Sequence, residues 1–323
     1  MIGKGFGFMV QQVLDEALAY AASFVGEGSV ATYIPELSKA NPADLGVCMA
    51  AVGGECFHAG EWRRPFTIQS ISKTIALILA LQTSGYDKVF SRVGLEPTGD
   101  SFNSIVKLET RDAKPLNPMI NAGAIATTGC ILSNDPFALI LKQTRRLCGS
   151  DDIKLNEAVF LSEKRAGMRN RSMAYWMKSE NIIDGDVEEL LDVYFRMCSM
   201  SVTTENLAHY AMILANDGVD PKNGERLIDS WIVRIVKTFM LTCGMYDGSG
   251  EFAIRVGMPS KSGVGGGILS TAEKSMGIAV YGPALDSRGN SVGGMRLLEY
   301  LSRKLSLHYF AGCGREELVP RSC

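Results

Sequence analysis

The sequence has few of the features that mark metal-binding, disulfide-rich, membrane or nucleic-acid-binding proteins. Its three histidines lie far apart without metal-ligand spacing, which argues against a zinc site and against a Ser-His-Asp triad. Its eight cysteines form no CxxC pair and predict no disulfide framework. The net charge is only −2, and no apolar run approaches the roughly 20 residues of a membrane span. We therefore expect no metal, no cofactor, no nucleic-acid partner and no membrane partner.

The N-terminus also lacks the pattern of a secretion signal, because polar residues interrupt its apolar ones at positions 11, 12, 15 and 16. Together with the unpaired cysteines, this predicts a cytoplasmic protein with reduced thiols. The chain has 323 residues, of which 46% are hydrophobic and 21% charged. That composition is typical of a soluble globular protein and is enough for one large α/β domain or two lobes.

Hydrophobic periodicity orders the chain as a helix, a hairpin, a helical block, three strands and a last helix. The predicted helices cover about residues 10–25, 70–85, 117–132, 155–166, 172–180, 186–198, 204–216, 227–242 and 291–306. The predicted strands cover 47–52 and 55–59, which form a hairpin, and then 252–256, 265–270 and 276–281. Residues 86–116 predict irregular structure. Strands at both ends with helices between them predict one sheet built from distant segments, carrying an inserted helical lobe.

The sharpest chemical signal is Ser70 followed by Lys73 at the start of an apolar helix. Residues three apart share one face of a helix, with side-chain carbons roughly 5–6 Å apart. A buried lysine has a lowered pKa and can take the proton of a serine hydroxyl, which makes the serine a nucleophile for acyl transfer. The alternative is a helix N-cap at Ser70 with Lys73 reaching solvent, because a lone Ser-x-x-Lys is weak.

A second signal lies far along the chain at Lys261, Ser262 and Gly263, before Val264. This Lys-Ser-Gly triplet resembles the Lys-Thr-Gly strand of penicillin-recognising serine enzymes, which also carry Ser-x-x-Lys at a helix start. A strand beside Ser70 would offer the Val264 backbone N–H to an oxyanion, together with the Ser70 N–H. The alternative is an ordinary glycine-rich turn between strands.

With both signals in this order, the sequence resembles the serine-dependent glutaminases, which share the serine β-lactamase-like fold and hydrolyse L-glutamine to L-glutamate and ammonia. The resemblance covers about residues 10–308. It rests on the blocks 33–37, 69–73, 117–125, 162–165, 169–170, 243–247 and 261–264. It implies an α/β fold whose antiparallel sheet is flanked by N- and C-terminal helices, with an all-helical lobe inserted.

The resemblance also implies a role for each matching residue. It makes Ser70 the nucleophile and Lys73 its base. Tyr33 and Tyr246 would line the catalytic centre and relay protons. The glutamine-binding set would be Ser70, Asn121, Glu163, Asn170, Tyr194, Tyr246 and Val264, with Gln69, Lys261, Ser262 and Gly263 in support. Free glutamine carries an ammonium and a carboxylate, so a pocket with one acid and several neutral donors suits it.

Taken singly, several of these residues have ordinary structural interpretations. Glu163 would be a solvated charge, Tyr194 a core residue and Asn121 a first-turn helix residue. Asn117 before Pro118 predicts the N-cap of the helix over about residues 117–132. Ser133, Asn134 and Asp135 imitate a β-lactamase motif with the last two residues transposed, and we interpret them as a helix C-terminal break.

The resemblance implies a single catalytic domain over residues 1–310 and a homo-oligomer, either a dimer or a tetramer. The sheet lobe would cover about 1–69 and 245–310, and the helical lobe about 70–244. Residues 311–323 are expected to be a native disordered tail or the remnant of an expression vector. Two other functions stay open. One is a penicillin-recognising serine hydrolase, and the other is a non-catalytic binding protein on the same fold.

Overall fold

An antiparallel sheet runs through the middle of the computed structural model, which describes residues 4–98 and 114–311. The strands are β1 (Gly46–Ala51), β2 (Cys56–Gly60), β3 (Phe66–Thr67), β4 (Lys154–Leu155), β5 (Met200–Val202), β6 (Ser260–Ser262), β7 (Gly267–Ala272) and β8 (Met276–Tyr281). Five of them form the main sheet in the order β2-β1-β8-β7-β6, and the short strands β3, β5 and β4 form a second sheet. The main sheet therefore joins the predicted hairpin to strands from the other end of the chain.

Helices surround this sheet, and most of them come from the middle of the chain. They are α1 (Lys4–Ala22), α2 (Ser72–Arg92), α3 (Asn121–Thr128), α4 (Pro136–Cys148), α5 (Glu157–Ala166), α6 (Met168–Ser179), α7 (Val187–Cys198), α8 (Thr204–Ala215), α9 (Ser230–Cys243), α10 (Ser249–Arg255) and α11 (Val292–Leu305). The terminal helices α1 and α11 pack against each other on one face of the sheet. This arrangement confirms the predicted sheet flanked by N- and C-terminal helices.

Alternating side chains of the central strands enter two different hydrophobic cores. In β1, Val47 and Met49 pack with the terminal helices, whereas Cys48 packs in the core of the middle helices. In β8, Ile278 and Ala279 divide in the same way. Successive strand residues point to opposite faces, so a sheet covered on both sides reads as a continuous apolar run.

Helix α8 lies directly on the second face of the sheet, at Gly277 of β8. A Cβ atom there would lie 2.1 Å from the backbone nitrogen of Met212 and 2.3 Å from the carbonyl oxygen of Ala208. The helix begins at a capping box, in which the Thr203 hydroxyl accepts from the Asn206 N–H. The Tyr210 hydroxyl of α8 donates to Thr74 Oγ1 at 2.9 Å, so this helix joins the sheet to helix α2.

Some predicted elements are wrong. Residues 252–256 form most of helix α10 rather than a strand. Helix α2 continues to Arg92 past a break at Gly85, where φ is 78°, so part of the segment predicted as irregular is helical. Residues 99–113 of that segment lie outside the described residues.

The region after Pro118 also differs from the prediction. Helix α3 begins at Asn121, and the Asn117 side chain instead accepts from the Met119 N–H in a turn before it. Helix α4 was not predicted, and Asp135 is its N-cap, accepting from the Ala138 N–H. The Ser133–Asp135 stretch therefore starts a helix as well as following one. No helix in the two described segments is long and apolar enough to cross a membrane.

Candidate active site

Ser70 lies where the chain passes from β3 into helix α2. Residues Gln69–Ile71 form one 3-10 turn, and α2 follows at Ser72. Gln69 has a φ of 47°, in the left-handed region that residues other than glycine rarely adopt. Backbone strain of this kind persists only where the surrounding structure fixes it, and it concentrates at functional sites. Ser70 is buried to 8% exposure and lines a pocket.

Lys73 lies one helical turn further and directs its amine at Ser70. Its Nζ donates to Ser70 Oγ at 2.9 Å and to Asn121 Oδ1 at 2.7 Å. Burial of the side chain disfavours the charged form and lowers the pKa of Lys73 to about 8, against the opposing influence of Cys198 and Glu163. The predicted pair is therefore present, with an amine that is partly deprotonated in mildly alkaline solution.

The opposite side of Ser70 is formed by Tyr246 and strand β6 with the turn after it. The Tyr246 hydroxyl is hydrogen-bonded to the Ser70 side chain and to the Val264 backbone, and burial raises the pKa of its phenol. A Cβ atom at Gly263 would lie 2.9 Å from Ile68 O and 3.4 Å from Ser70 N. The absence of a side chain at Gly263 therefore lets this turn approach the Ser70 backbone closely.

Glu163 is the acidic group of the pocket, and it is buried at 7% exposure. Its Oε2 accepts from Gln69 Nε2 and from Ser199 Oγ, both at 3.4 Å, which are long hydrogen bonds. Burial raises the pKa of the Glu163 carboxyl to about 7, although these two bonds and Lys73 oppose the change. The solvated-charge interpretation of Glu163 is therefore wrong.

The pocket brings together most of the residues singled out in the sequence. Its lining comprises Tyr33, Ile34, Gln69, Ser70, Asn121, Glu163, Ala166, Gly167, Asn170, Tyr194, Cys198 and Val264. Asn121 Nδ2 donates to Asn170 Oδ1 at 3.1 Å, and Tyr194 is 2% exposed. Tyr33 differs from the others because 54% of its surface is exposed, which places it at the rim.

Lys73, Tyr246 and the Lys261–Gly263 segment stand behind this lining rather than in it. Lys261 is completely buried, and its Nζ lies 4.6 Å from the centroid of the Tyr246 ring. Ser262 is also buried, and its hydroxyl has no hydrogen-bond partner among the described residues. Within those residues, no group of three or more His, Cys, Asp or Glu side chains is arranged to hold a metal ion.

Sequence reasoning missed three polar groups that support the pocket. Thr67 Oγ1 accepts from Gln69 Nε2 at 3.3 Å, Ser199 donates to Glu163, and the Cys198 thiol is part of the lining. Cys198 and Ser199 follow Tyr194 along the end of α7, so the position of Tyr194 was the only signal that pointed to them. Thr67 is two residues before Gln69 and carried no signal of its own.

The comparisons with known proteins all identify glutaminases as the proteins that this chain resembles. The family model described as Glutaminase matches residues 28–310. The chain is 51% identical to glutaminase 2 of Clostridium perfringens, over 93% of this chain and all of the relative. It is 53% identical to a glutaminase of Clostridium tetani, over 94% of this chain and all of the relative.

Solved structures agree in fold and in sequence. A probable glutaminase of Bacillus subtilis superposes with a TM-score of 0.86 at 38% identity, covering 92% of this chain and 97% of that one. A Bacillus subtilis glutaminase in covalent complex with 5-oxo-L-norleucine, formed by reaction with 6-diazo-5-oxo-L-norleucine, gives 0.85 at 37% identity, covering 93% and 99%. These likenesses confirm the predicted serine β-lactamase-like fold. The chain belongs to the glutaminase family.

Proposed function

We propose that this chain hydrolyses the side-chain amide of L-glutamine through a γ-glutamyl ester on Ser70. Family membership supports the overall reaction, and the contact of Lys73 Nζ with Ser70 Oγ at 2.9 Å is the observation that carries the ester mechanism. A hydroxyl is a weak nucleophile unless a neighbouring base removes its proton, and Lys73 is the amine in place to do so.

In the first half of the proposed reaction, neutral Lys73 accepts the Ser70 proton while Ser70 Oγ attacks the amide carbon. The negative oxygen of the tetrahedral intermediate binds the backbone N–H groups of Ser70 and Val264. Tyr246 gives its hydroxyl proton to the leaving nitrogen, and ammonia departs. The close packing of Gly263 on the Ser70 backbone supports this placement of the two N–H groups.

In the second half, the Tyr246 phenolate takes a proton from a water molecule that attacks the ester, and Ser70 recovers its proton as glutamate leaves. Lys73 returns the proton to Ser70, or Tyr246 relays it, since both contact the hydroxyl. Tyr33 is the alternative relay from the rim of the pocket. Microscopic reversibility requires that the group that protonates the first leaving group deprotonates the water.

The other end of glutamine would bind on the Glu163 side. An ionised Glu163 pairs the α-ammonium, and Asn121, Asn170 and Tyr194 offer polar hydrogen-bonding groups to the rest of the amino-acid end. Gln69 contacts both Thr67 and Glu163, so it supports the carboxylate and stands next to the nucleophile. A buried acid favours a cationic ligand, which supports glutamine over a penicillin-type substrate.

Two measurements test this proposal. Ammonia release from glutamine and from asparagine by the purified protein tests the reaction. Incubation with 6-diazo-5-oxo-L-norleucine, followed by mass spectrometry, tests the nucleophile, because the label should lie on the peptide that contains Ser70 and be absent from Ser70→Ala.

The outcomes separate the competing functions. Turnover of nitrocefin without ammonia release from glutamine would favour the penicillin-recognising alternative. Glutamine binding without turnover or labelling would indicate a binding protein on this fold. Labelling at another residue, with turnover intact, would contradict only the Ser70 ester.

The predicted domain limits, homo-oligomer and cytoplasmic location remain proposals. The cores on the two faces of the sheet support a sheet lobe and a helical lobe, and the free thiols of the described cysteines fit a reducing compartment. Light scattering on the purified chain would give the oligomeric state. Residues 312–323, nearly all of the predicted tail, lie outside the described residues.

A further inference from the structure

Lys261 is a buried amine for which the mechanism above has no use. It is 0% exposed, and its Nζ is held by two backbone carbonyls rather than by a carboxylate, with Gly244 O at 3.1 Å and Ser262 O at 2.6 Å. Burying an amine away from water is unfavourable, and here burial lowers the pKa of Lys261 well below its usual value. Because burial of this amine is unfavourable, we expect a role for Lys261 in its contacts with neighbouring residues.

Both carbonyls belong to the segments that hold Tyr246. Gly244 is two residues before Tyr246, and Ser262 lies on β6 beside it. The Ser262 N–H donates to Gly244 O at 3.0 Å, so this edge of the β6 backbone faces the Tyr246 turn. Because the N–H and C=O of one strand residue point to the same side, the Ser262 carbonyl faces that turn as well. Lys261 therefore joins the two segments from beneath the Tyr246 ring, 4.6 Å from its centroid.

The Ser262 carbonyl is also within reach of the Tyr246 hydroxyl. That distance is 3.4 Å, at the long limit of an O–H···O hydrogen bond, whereas Lys261 donates to the same oxygen at 2.6 Å. A phenol has one proton, and it is donated either to this carbonyl or elsewhere. The same hydroxyl is hydrogen-bonded to the Ser70 side chain. Lys261 and Tyr246 therefore both face this one carbonyl oxygen, and Lys261 has the shorter contact.

We propose that Lys261 is a positioning residue that occupies the Ser262 carbonyl and thereby keeps the Tyr246 hydroxyl on Ser70. Without Lys261, the carbonyl would be a buried acceptor lacking its close donor, which is unfavourable. Tyr246 is a neighbouring donor, so its hydroxyl would turn towards the Ser262 carbonyl and away from Ser70. This inference rests on the proposed roles of Ser70 and Tyr246.

A double-mutant cycle distinguishes this role from simple support of the fold. The variants are Lys261→Met, Tyr246→Phe and their combination, with kcat and KM for glutamine and the melting temperature measured for each. Methionine has a similar length and no hydrogen-bond donor. We expect Lys261→Met to lower kcat by about tenfold to a hundredfold, less than the roughly 10²- to 10⁴-fold for complete loss of a proton-transfer group, while KM changes much less.

In the Tyr246→Phe background the hydroxyl is absent, so the same lysine substitution should lower kcat by less than about threefold, because coupled residues are non-additive. An equal loss of kcat in both backgrounds would overturn the proposal, as would a Lys261→Met enzyme with wild-type kcat. If the methionine variant does not fold, Lys261→Leu, which also lacks a hydrogen-bond donor, is put through the same cycle and judged by the same criterion.

Lys304→Met is a matched control, because Lys304 is an exposed lysine whose Nζ lies 5.5 Å from the centroid of the Tyr300 ring on helix α11, remote from the pocket. Its kcat should equal that of the wild type. Failure of the proposed function itself would be seen separately. Either Ser70→Ala would still turn over glutamine, or the wild type would not turn it over at all.

Discussion

The two sides of the pocket differ in how complete their hydrogen bonds are. On the nucleophile side, which we define as Ser70, Lys73 and Asn121, Lys73 makes two short bonds of 2.9 and 2.7 Å. On the carboxylate side, which we define as Glu163, Gln69 and Ser199, the two bonds to Glu163 are 3.4 Å long.

The difference indicates two kinds of preparation for substrate. The nucleophile side holds the groups that we propose to react in position before substrate arrives, which would reduce the reorganisation needed during reaction. The carboxylate side keeps a buried acid that neutral donors satisfy poorly, so a cationic group of the ligand would complete it. We therefore expect substitutions on the first side to change kcat and substitutions on the second to change KM.

Removal of the proposed nucleophile should give the largest effect on turnover. It should disrupt the nucleophile side and leave the carboxylate side intact. We expect Ser70→Ala to lower kcat on the order of 10⁴-fold or more, as for other serine nucleophiles, and to leave the dissociation constant for glutamine nearly unchanged. Ammonia release gives the first quantity and calorimetry the second. Ser91→Ala, an exposed serine on the same helix, is the control. Turnover near the wild-type rate would rule out Ser70 as the nucleophile.

Replacement of Lys73 should come next. Arginine keeps the positive charge but cannot lose a proton at these pH values, so Lys73→Arg should be about as inactive as Lys73→Ala, with kcat down by about 10²- to 10⁴-fold. In the wild type the base must be unprotonated, so kcat/KM should rise with pH through about 8 and level off above it. If Lys73→Arg keeps most of the activity, the base would be Tyr33 or Tyr246 instead.

A change at Glu163 should affect the second side only. Glu163→Gln loses a charged hydrogen bond worth roughly 1.5–3 kcal/mol, so KM should rise about tenfold to a hundredfold with a smaller change in kcat. The wild-type carboxyl ionises as pH rises through about 7, so KM should fall across that range, and the variant should lose this dependence. An unchanged KM would contradict the pocket assignment. Glu157→Gln, an exposed acid on the same helix, is the control.

The smallest effect should be that of Glu163→Gln on stability. We expect this substitution to stabilise the fold, although it weakens the binding of glutamine. The pKa of Glu163 is raised in the folded state, so the protonated fold is favoured and stability falls as pH rises from the unfolded value towards about 7. At pH 8 the ionised wild type therefore bears a penalty of at most on the order of 3 kcal/mol, which Glu163→Gln removes. We expect a melting temperature a few degrees higher than wild type at pH 8 and little difference at pH 4. A lower melting temperature at pH 8 would mean that the carboxylate is well satisfied.

Local patterns determined much of this protein. The spacing of Ser70 and Lys73 placed both on one face of a helix, and the hydrogen bond between them follows from that spacing. The hairpin of β1 and β2, the last strand β8 and helix α8 were all predicted from hydrophobic periodicity. In these elements the neighbours along the chain supply the interactions that decide the conformation.

The tertiary structure decided what depends on residues distant in sequence. Helix α10 was predicted as a strand because a short apolar run does not distinguish a strand from a helix, and packing against distant elements chose the helix. Gln69 and Glu163 are 94 residues apart, and Glu163 and Ser199 are 36 apart. No local sequence pattern therefore predicts either of these two contacts. Burial, which sets the pKa values of Lys73 and Glu163, exists only once the middle helices and the sheet have closed around them. The chemistry proposed for Ser70 was therefore predictable in kind from its neighbours, but its proposed activation depends on a low-polarity environment that only the complete fold creates.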